Sequence, residues 1–340
     1  MSKKILLTGV AGFIGAHTLQ HFFETTDWII LGVDSLEHKG DYRRIEQVLS
    51  KNPEWEKRMK FLKADLAKIK VQELVKWAPE VDTVINMASE SHVDRSIDDP
   101  VPFVQNNINL TLTMLEYARI VKPRVFIQIS TDEVYGAMYD KPYPEWSVDM
   151  PSNPYSGSKA AQEMIAISYW RTYSVPVVIT NTMNNIGEMQ DAEKFLPMLI
   201  RDINDGKEAK IHAIGDEVGS RSYLHARNHG DALKFIIEQL PPHMYDIDEA
   251  YSRPDRYNVV GEKQTSNLEL AQMVADILGK PLKYKLVDSH TARPGHDMHY
   301  GLDGTKLAKL GWKAPYTFEQ SLEHTVKNYM AHPQWFEWEA

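Results

Sequence analysis

The chain of 340 residues carries 38 Lys and Arg against 47 Asp and Glu, a net charge of −9, and 43% of it is apolar. That length suits about two domains of roughly 150 residues, with ample chain to bury a core. The absence of cysteine excludes disulfides, thiolate nucleophiles, Cys-bound zinc and iron–sulfur clusters, and the acidic balance argues against a nucleic-acid binder, which needs clustered Lys and Arg.

The start, MSKKILLTGV, places two lysines before an apolar run, but the run is too short for a signal peptide and breaks at glycines. No segment approaches the roughly 20 apolar residues of a membrane span. The expectation is a soluble, cytoplasmic protein without membrane or nucleic-acid partners.

The first half alternates short apolar runs with helix-length segments. Strands are predicted at 4–9, 28–34, 60–65, 81–88, 124–130 and 176–181. Helices are predicted at 13–24, 41–51, 70–77, 101–120 and 155–171. This alternation predicts an α/β fold: a Rossmann-type doubly wound parallel sheet with helices on both faces. After about residue 182 the pattern loosens into loops around shorter elements. LPMLIRDINDG (196–206) reads as a helix, and so does NLELAQMVADILG (267–279), with Ser266 as N-cap and Gly279 as the stop. The expected division is a cofactor domain over 1–180, with a return segment around 221–238, and a smaller C-terminal α/β substrate domain over 181–340.

Gly9, Gly12 and Gly15 follow the first strand and open the first helix in G-x-x-G-x-x-G spacing. Glycines there let backbone N–H groups approach a pyrophosphate at the positive end of a helix. Asp34 ends the second strand, 19 residues after Gly15 by the numbering. A carboxylate there accepts ribose hydroxyls and repels the extra phosphate of NADP, so the pattern points to NAD. Asp65, after the third strand, is a candidate for the adenine edge and equally a turn aspartate.

Tyr155 and Lys159 form Y-x-x-x-K, which puts both on one face of a helix. An ammonium beside a phenol lowers its pKa and makes it a proton acceptor for alcohol oxidation. Ser130-Thr131-Asp132-Glu133 sits at a strand end, where ligands bind in open α/β sheets. Thr131, Asp132, Glu133, Tyr155 and Lys159 are the catalytic candidates.

On these motifs the chain resembles the extended short-chain dehydrogenase/reductases, and within them the dTDP-glucose 4,6-dehydratases. TGVAGFIGA (8–16) is similar to the family's TGGAGFIGS, and SESHVDRSI (89–97) to AESHVDRSI. STDEVYG (130–136), YSGSK (155–159), TNTMNNIGEMQDAEKFLP (180–197) and RPGHDMHYGLD (293–303) continue the likeness nearly to the end. The resemblance implies conversion of a nucleotide-linked glucose to its 4-keto-6-deoxy sugar by internal hydride transfer through bound NAD, in a homodimer built on 101–120 and 155–171. It gives Tyr155 the 4-hydroxyl proton, Glu133 the carbon-5 proton and Asp132 the leaving 6-hydroxyl. Thr131 bonds the 4-oxygen, and Lys159 also holds the nicotinamide ribose. Phe13, Ile14, Leu66 and Ala88 join the cofactor set. Ser91, Asn184, Lys194, Phe195, Arg221, Asn267, Arg293 and His296 form the sugar-nucleotide set.

Two alternatives accompany this reading. A related epimerase or decarboxylase usually carries serine at the position of Asp132. A silent NAD-binding regulator would lack Tyr155, Lys159 or the acid/base pair. His296, Asp297 and His299 lack a convincingly spaced third ligand, so no metal is expected. The chain departs from the family at Asn86, at Glu188-Met189, at 215–225 and at 35–44, where Arg43 and Arg44 add positive charge that could tolerate a phosphate. Trp335 and Trp338 are expected on the surface of the fold.

Overall fold

The computed structural model describes residues 2–138, 140–246, 252–288 and 299–337. Apolar runs KILLT, IILGVD and TVIN are too short for helices and are buried on both sides, which is the signature of central parallel strands. They form β1 (Lys4–Thr8), β2 (Ile29–Asp34) and, after β3 (Met59–Lys63), β4 (Thr83–Asn86). β5 (Val125–Thr131) and β6 (Val177–Thr182) extend the sheet. Small strands follow: β7 (Asn185–Ile186), β8 (Ala209–Ile214), β9 (Glu217–Val218), β10 (Ser220–Ser222) and β11 (Leu224–His225). β12 (Asp255–Val259), β13 (Gln264–Ser266) and β14 (Tyr284–Asp288) complete the strands.

The central sheet has seven strands in the order β12-β6-β5-β4-β1-β2-β3, and each pairing is parallel. The order reverses between β1 and β4. That switch point opens a crevice at the carboxyl ends of the strands.

Helices cover both faces. α1 (Phe13–Thr25) and α2 (Tyr42–Leu49) are followed by α3 (Val71–Trp77), α4 (Val93–Asp98), α5 (Pro100–Val121) and α6 (Pro154–Tyr173). One face buries Leu19, Phe22, Ile45 and Val48 from α1 and α2 against Ile5, Leu7 and Ile30. The other buries Leu74, Leu115, Tyr117 and Trp170 from α3, α5 and α6 against Leu6, Val84 and Phe126. α7 (Phe195–Asn204), α8 (Ala226–Gln239), α9 (Asn267–Leu278), α10 (Thr305–Lys309) and α11 (Phe318–Ala331) follow. Among these, α7, α9 and α11 build a second core with Leu196, Ile200, Val274, Leu322 and Tyr329.

Helix ends follow local chemistry. Asn153 caps α6 in a capping box with Ser156, and Pro154 opens the helix. Ser266 caps α9 reciprocally with Glu269, and Gly279 ends it at φ 63°.

The predicted strands and helices fall within two residues of those observed. The return to the first sheet is larger than expected. α8 packs Ala232, Leu233 and Ile236 into the first core, and β12 then adds Tyr257 and Val259 as the seventh strand. The short helix α4 and a 3-10 turn at Pro53–Arg58 add to the elements expected from the sequence. Trp335 is a correction: it is only 4% exposed and belongs to the second core. Arg293, His296, Asp297 and Trp338 lie outside the described residues. Among the described residues no helix is long and apolar enough to cross a membrane, and no cluster of His, Cys, Asp or Glu could hold a metal ion.

Candidate active site

Two connected concavities lie at the strand ends. The first is lined by Gly9, Gly12, Phe13, Ile14, Gly15, Asp34, Asp65, Leu66, Ala88, Ser91, Tyr155 and Lys159, so the structure brings the whole sequence-derived cofactor set together. The second is lined by Ser91, Asn184, Lys194, Phe195, Arg221 and Asn267. Glu133 faces both, and Thr131 and Asp132 face the first.

The glycine loop is needed sterically. Gly9 has φ 69°, and a Cβ on Gly15 would lie 2.0 Å from the Gly9 carbonyl oxygen. The loop therefore folds tightly and leaves the start of α1 open toward the cleft. Asp34 accepts from the Ala11 N–H at 2.9 Å and the Leu36 N–H at 3.0 Å. Burial raises its pKa against those bonds. Each carboxylate oxygen keeps a lone pair for a ribose hydroxyl.

The two added arginines, Arg43 and Arg44, are both engaged within the protein. Arg44 is fully buried and donates to the carbonyls of Met189, Ala11 and Lys39 and to Asp191. Arg43 forks onto Asp41 at 2.9 and 2.7 Å. Asn86 is likewise structural: it donates to Gln128 at 2.9 Å and accepts from Thr8 at 3.2 Å. Asp65 both lines the cleft and caps its own turn, accepting from Ala67 at 2.9 Å and pairing with Lys68 at 2.7 Å.

β5 delivers Thr131, and the 3-10 turn Asp132–Tyr135 swings the two carboxyl groups toward the crevice. Thr131 Oγ1 donates to Asp132 Oδ1 at 2.9 Å and accepts from the Glu133 N–H at 3.3 Å. Asp132 Oδ2 is buried without a partner among the described residues. Burial raises Asp132 to about 6, against the Thr131 bond and the charge of Arg221. This carboxyl is therefore a proton donor suited to near-neutral pH.

The tyrosine expectation is corrected in one respect. Burial, with the charges of Glu133 and Asp132, raises the Tyr155 phenol above its ordinary value. Lys159 donates to the Ile129 carbonyl at 2.7 Å, and burial lowers it to about 7. Desolvation, which spacing along a helix does not report, dominates both groups in the protein by itself.

Sequence reasoning missed the groups that hold this site. Asn107 brackets Glu90 through its N–H at 2.8 Å and its carbonyl at 3.0 Å, and also reaches Ser158 at 2.9 Å. Asn181 donates to the Thr131 carbonyl at 3.0 Å and to Glu163 at 2.8 Å, and Glu163 pairs with the buried Arg256. Polar residues inside otherwise apolar strand and helix faces were the available signal. In the second concavity, Tyr223 donates to Asn267 at 2.7 Å and orients its amide. The Arg221 guanidinium lies over the Tyr300 ring at 4.6 Å.

Residues 6–325 match the family model described as GDP-mannose 4,6 dehydratase. A dTDP-glucose 4,6-dehydratase of Haemophilus influenzae is 35% identical, over 96% of this chain and 97% of that protein. The corresponding protein of Salmonella typhimurium is 32% identical, over 98% and 94%. Among solved structures, dTDP-glucose 4,6-dehydratase from Bacillus anthracis in complex with NAD superposes with a TM-score of 0.83 at 28% identity, covering 99% of each chain. UDP-glucuronic acid 4-epimerase from Bacillus cereus shares the fold, with a TM-score of 0.84 at 24% identity, covering 96% of this chain and 99% of that one. The chain belongs to the GDP-mannose 4,6 dehydratase family and is an extended short-chain dehydrogenase/reductase resembling the dTDP-glucose 4,6-dehydratases.

Proposed function

We propose that this chain is an NAD-dependent hydro-lyase that converts an NDP-glucose, dTDP-glucose first among them, to the NDP-4-keto-6-deoxy sugar. The observation that carries the reading is Asp132: a buried carboxyl with a raised pKa and one unpartnered oxygen, beside Glu133 and Tyr155 in the same cleft. An oxidoreduction alone has no use for that acid.

The cleft fits NAD on its own chemistry. The glycine loop exposes the start of α1, Asp34 keeps lone pairs for ribose hydroxyls, and Arg44 is buried and spent on carbonyls and Asp191. Gly9, Gly12 and Gly15 would hold the pyrophosphate, and Lys159 the nicotinamide ribose. When bound, the nicotinamide supplies reversible hydride acceptance and return.

The side chains do the proton work. Tyr155 takes the proton of the 4-hydroxyl, since the positive charge of the nicotinamide and of a protonated Lys159 would offset the burial that raises its phenol, and Thr131 holds the same oxygen. The ketone formed at carbon 4 acidifies carbon 5, from which Glu133 removes the proton. Asp132 protonates the departing 6-hydroxyl, so water leaves. Glu133, its proton exchanged with solvent, afterwards reprotonates carbon 5. Different environments for two adjacent carboxyl groups permit an acid and a base in one site. Arg221, Lys194 and Asn267 suit the diphosphate and nucleoside, since guanidinium forks match phosphate oxygens. Arg293 and His296 belong to the same substrate set.

A cytoplasmic homodimer belongs to this reading. Val101 and Ile120 on α5 and Met164 and Tyr173 on α6 are exposed apolar side chains, which supports a subunit contact there. The test is incubation with dTDP-, UDP- and CDP-glucose and GDP-mannose separately in deuterated water. NMR should show a new 6-methyl group with deuterium at carbon 5. No turnover of any of them would sink the assignment. An unchanged 6-hydroxymethyl group with inversion at carbon 4 would make the chain an epimerase.

A further inference from the structure

Glu188 stands in the segment after β7, where its backbone neighbours wall the active site. Thr182, Met183, Asn184, Asn185, Gln190 and Asp191 line the cofactor cleft, and Asn184 also lines the substrate groove. Glu188 itself points away from both. It is buried and meets three imidazoles from three helices. His225, the N-cap of α8, lies 3.1 Å from Glu188 Oε2 through Nε2. His324 of α11 lies 3.3 Å from Oε1, again through Nε2. His17 of α1 lies 2.8 Å from the Glu188 main-chain oxygen.

The proton positions follow from the partners. His225 Nδ1 accepts from the Arg227 N–H at 3.0 Å, so its Nε2 carries the proton and donates to the carboxylate. His17 Nε2 faces a carbonyl oxygen and also donates. These imidazoles hold an ionised carboxylate: the electrostatic attraction of His17 and the bonds from His225 and His324 keep Glu188 well below the usual carboxylate range despite burial. Gly187 makes the approach possible: a Cβ there would lie 3.2 Å from both His17 Nε2 and His225 Nε2. The cluster also reaches the cofactor side. Phe13, which lines the cleft, packs edge-on against His17 at 5.2 Å.

We propose that Glu188 is a positioning residue, tied through His17, His225 and His324 to three helices, that fixes the 182–191 wall of the cofactor cleft and substrate groove. Arg44 secures the far end of the same wall through the Met189 carbonyl and Asp191. Tyr329 of α11 adds a bond to the Gln190 carbonyl at 2.7 Å. The wall is therefore held from outside the site at successive residues, and both its first anchor, Glu188, and its last, Asp191, are charged. A charge-assisted hydrogen bond is stronger than a neutral one.

The proposal rests on the dehydratase reading only for its turnover readout; cofactor binding tests it independently. Three variants suffice: Glu188→Gln, His324→Ala and His324→Gln. His324 is half exposed, so its replacement leaves the core intact. NAD binding is measured by calorimetry on protein stripped of nucleotide, and kcat and KM by NMR turnover of dTDP-glucose. Loss of one charge-assisted bond predicts about tenfold weaker NAD binding in Glu188→Gln and His324→Ala. The same variants should lose about tenfold in kcat, with KM for the nucleotide sugar within about twofold, because misplacement of the wall affects reacting geometry more than diphosphate contacts. His324→Gln, which restores an N–H donor, should recover most of both losses. The proposal is overturned if Glu188→Gln and His324→Ala only melt earlier while NAD affinity and kcat match the parent below their transitions. It is also overturned if His324→Gln behaves like His324→Ala. If no nucleotide sugar turns over, the binding arm still decides.

Discussion

Asp132→Asn separates the two halves of the proposed reaction. The substitution is nearly isosteric, and the 2.9 Å bond from Thr131 to Oδ1 can persist. What it removes is a transferable proton. General acid catalysis contributes roughly 10² to 10⁴ in rate, which corresponds to about 3–5 kcal/mol of barrier. With Asp132 raised to about 6, roughly one molecule in ten carries that proton at pH 7. The elimination rate of the parent should therefore fall with rising pH above about 6, and the variant should lose this dependence. Stability should move in the same direction. An acid whose folded pKa is raised stabilises the fold fully below its unfolded pKa of 3.8 and loses that contribution as pH rises through about 6. The shift corresponds to about 3 kcal/mol, so the variant should melt no earlier than the parent at pH 8. The assay is a single turnover with dTDP-glucose, followed by NADH absorbance and by NMR of quenched samples. NADH and the 4-keto hexose should accumulate while the 6-deoxy product is slowed a hundredfold or more. Equal loss of oxidation and elimination, or a pH limb that survives in the variant, would refute the reasoning.

Gly15→Ala drives a methyl group to within 2.0 Å of the Gly9 carbonyl, so the loop must open; calorimetry should show NAD affinity reduced by about a hundredfold or more, at the cost expected for overpacking. Arg44→Ala strands Asp191 and three carbonyls in the interior; breaking a buried pair costs about 3–5 kcal/mol, and a lowered melting transition checks it. Ser266→Ala removes the capping box of α9 and should cost about 1 kcal/mol, read by denaturant titration, with kcat unchanged. Tyr155→Phe leaves the fold and NAD binding intact and should reduce oxidation by roughly 10² to 10⁴, seen as absent NADH formation in single turnover.

Features whose physics is local can be read along the chain. Apolar runs such as KILLT and IILGVD report burial on both faces, Gly15 reports a close backbone approach, and Ser266 and Gly279 report helix ends. Thr131-Asp132-Glu133 and Tyr155-x-x-x-Lys159 carry their chemistry in adjacent or one-turn positions, so the site was legible before any coordinates. What surrounds those groups follows from the folded packing. It turned Arg44 from a phosphate receptor into a buried strut, added β12 to the first sheet and moved Trp335 inside. It raised Tyr155 where spacing to Lys159 argued for lowering, because desolvation depends on everything packed around the phenol and not on the residue one turn away. It also brought Glu188 to His17, His225 and His324, partners 171, 37 and 136 positions distant. No periodicity links such residues; chain topology and close packing alone put them in contact.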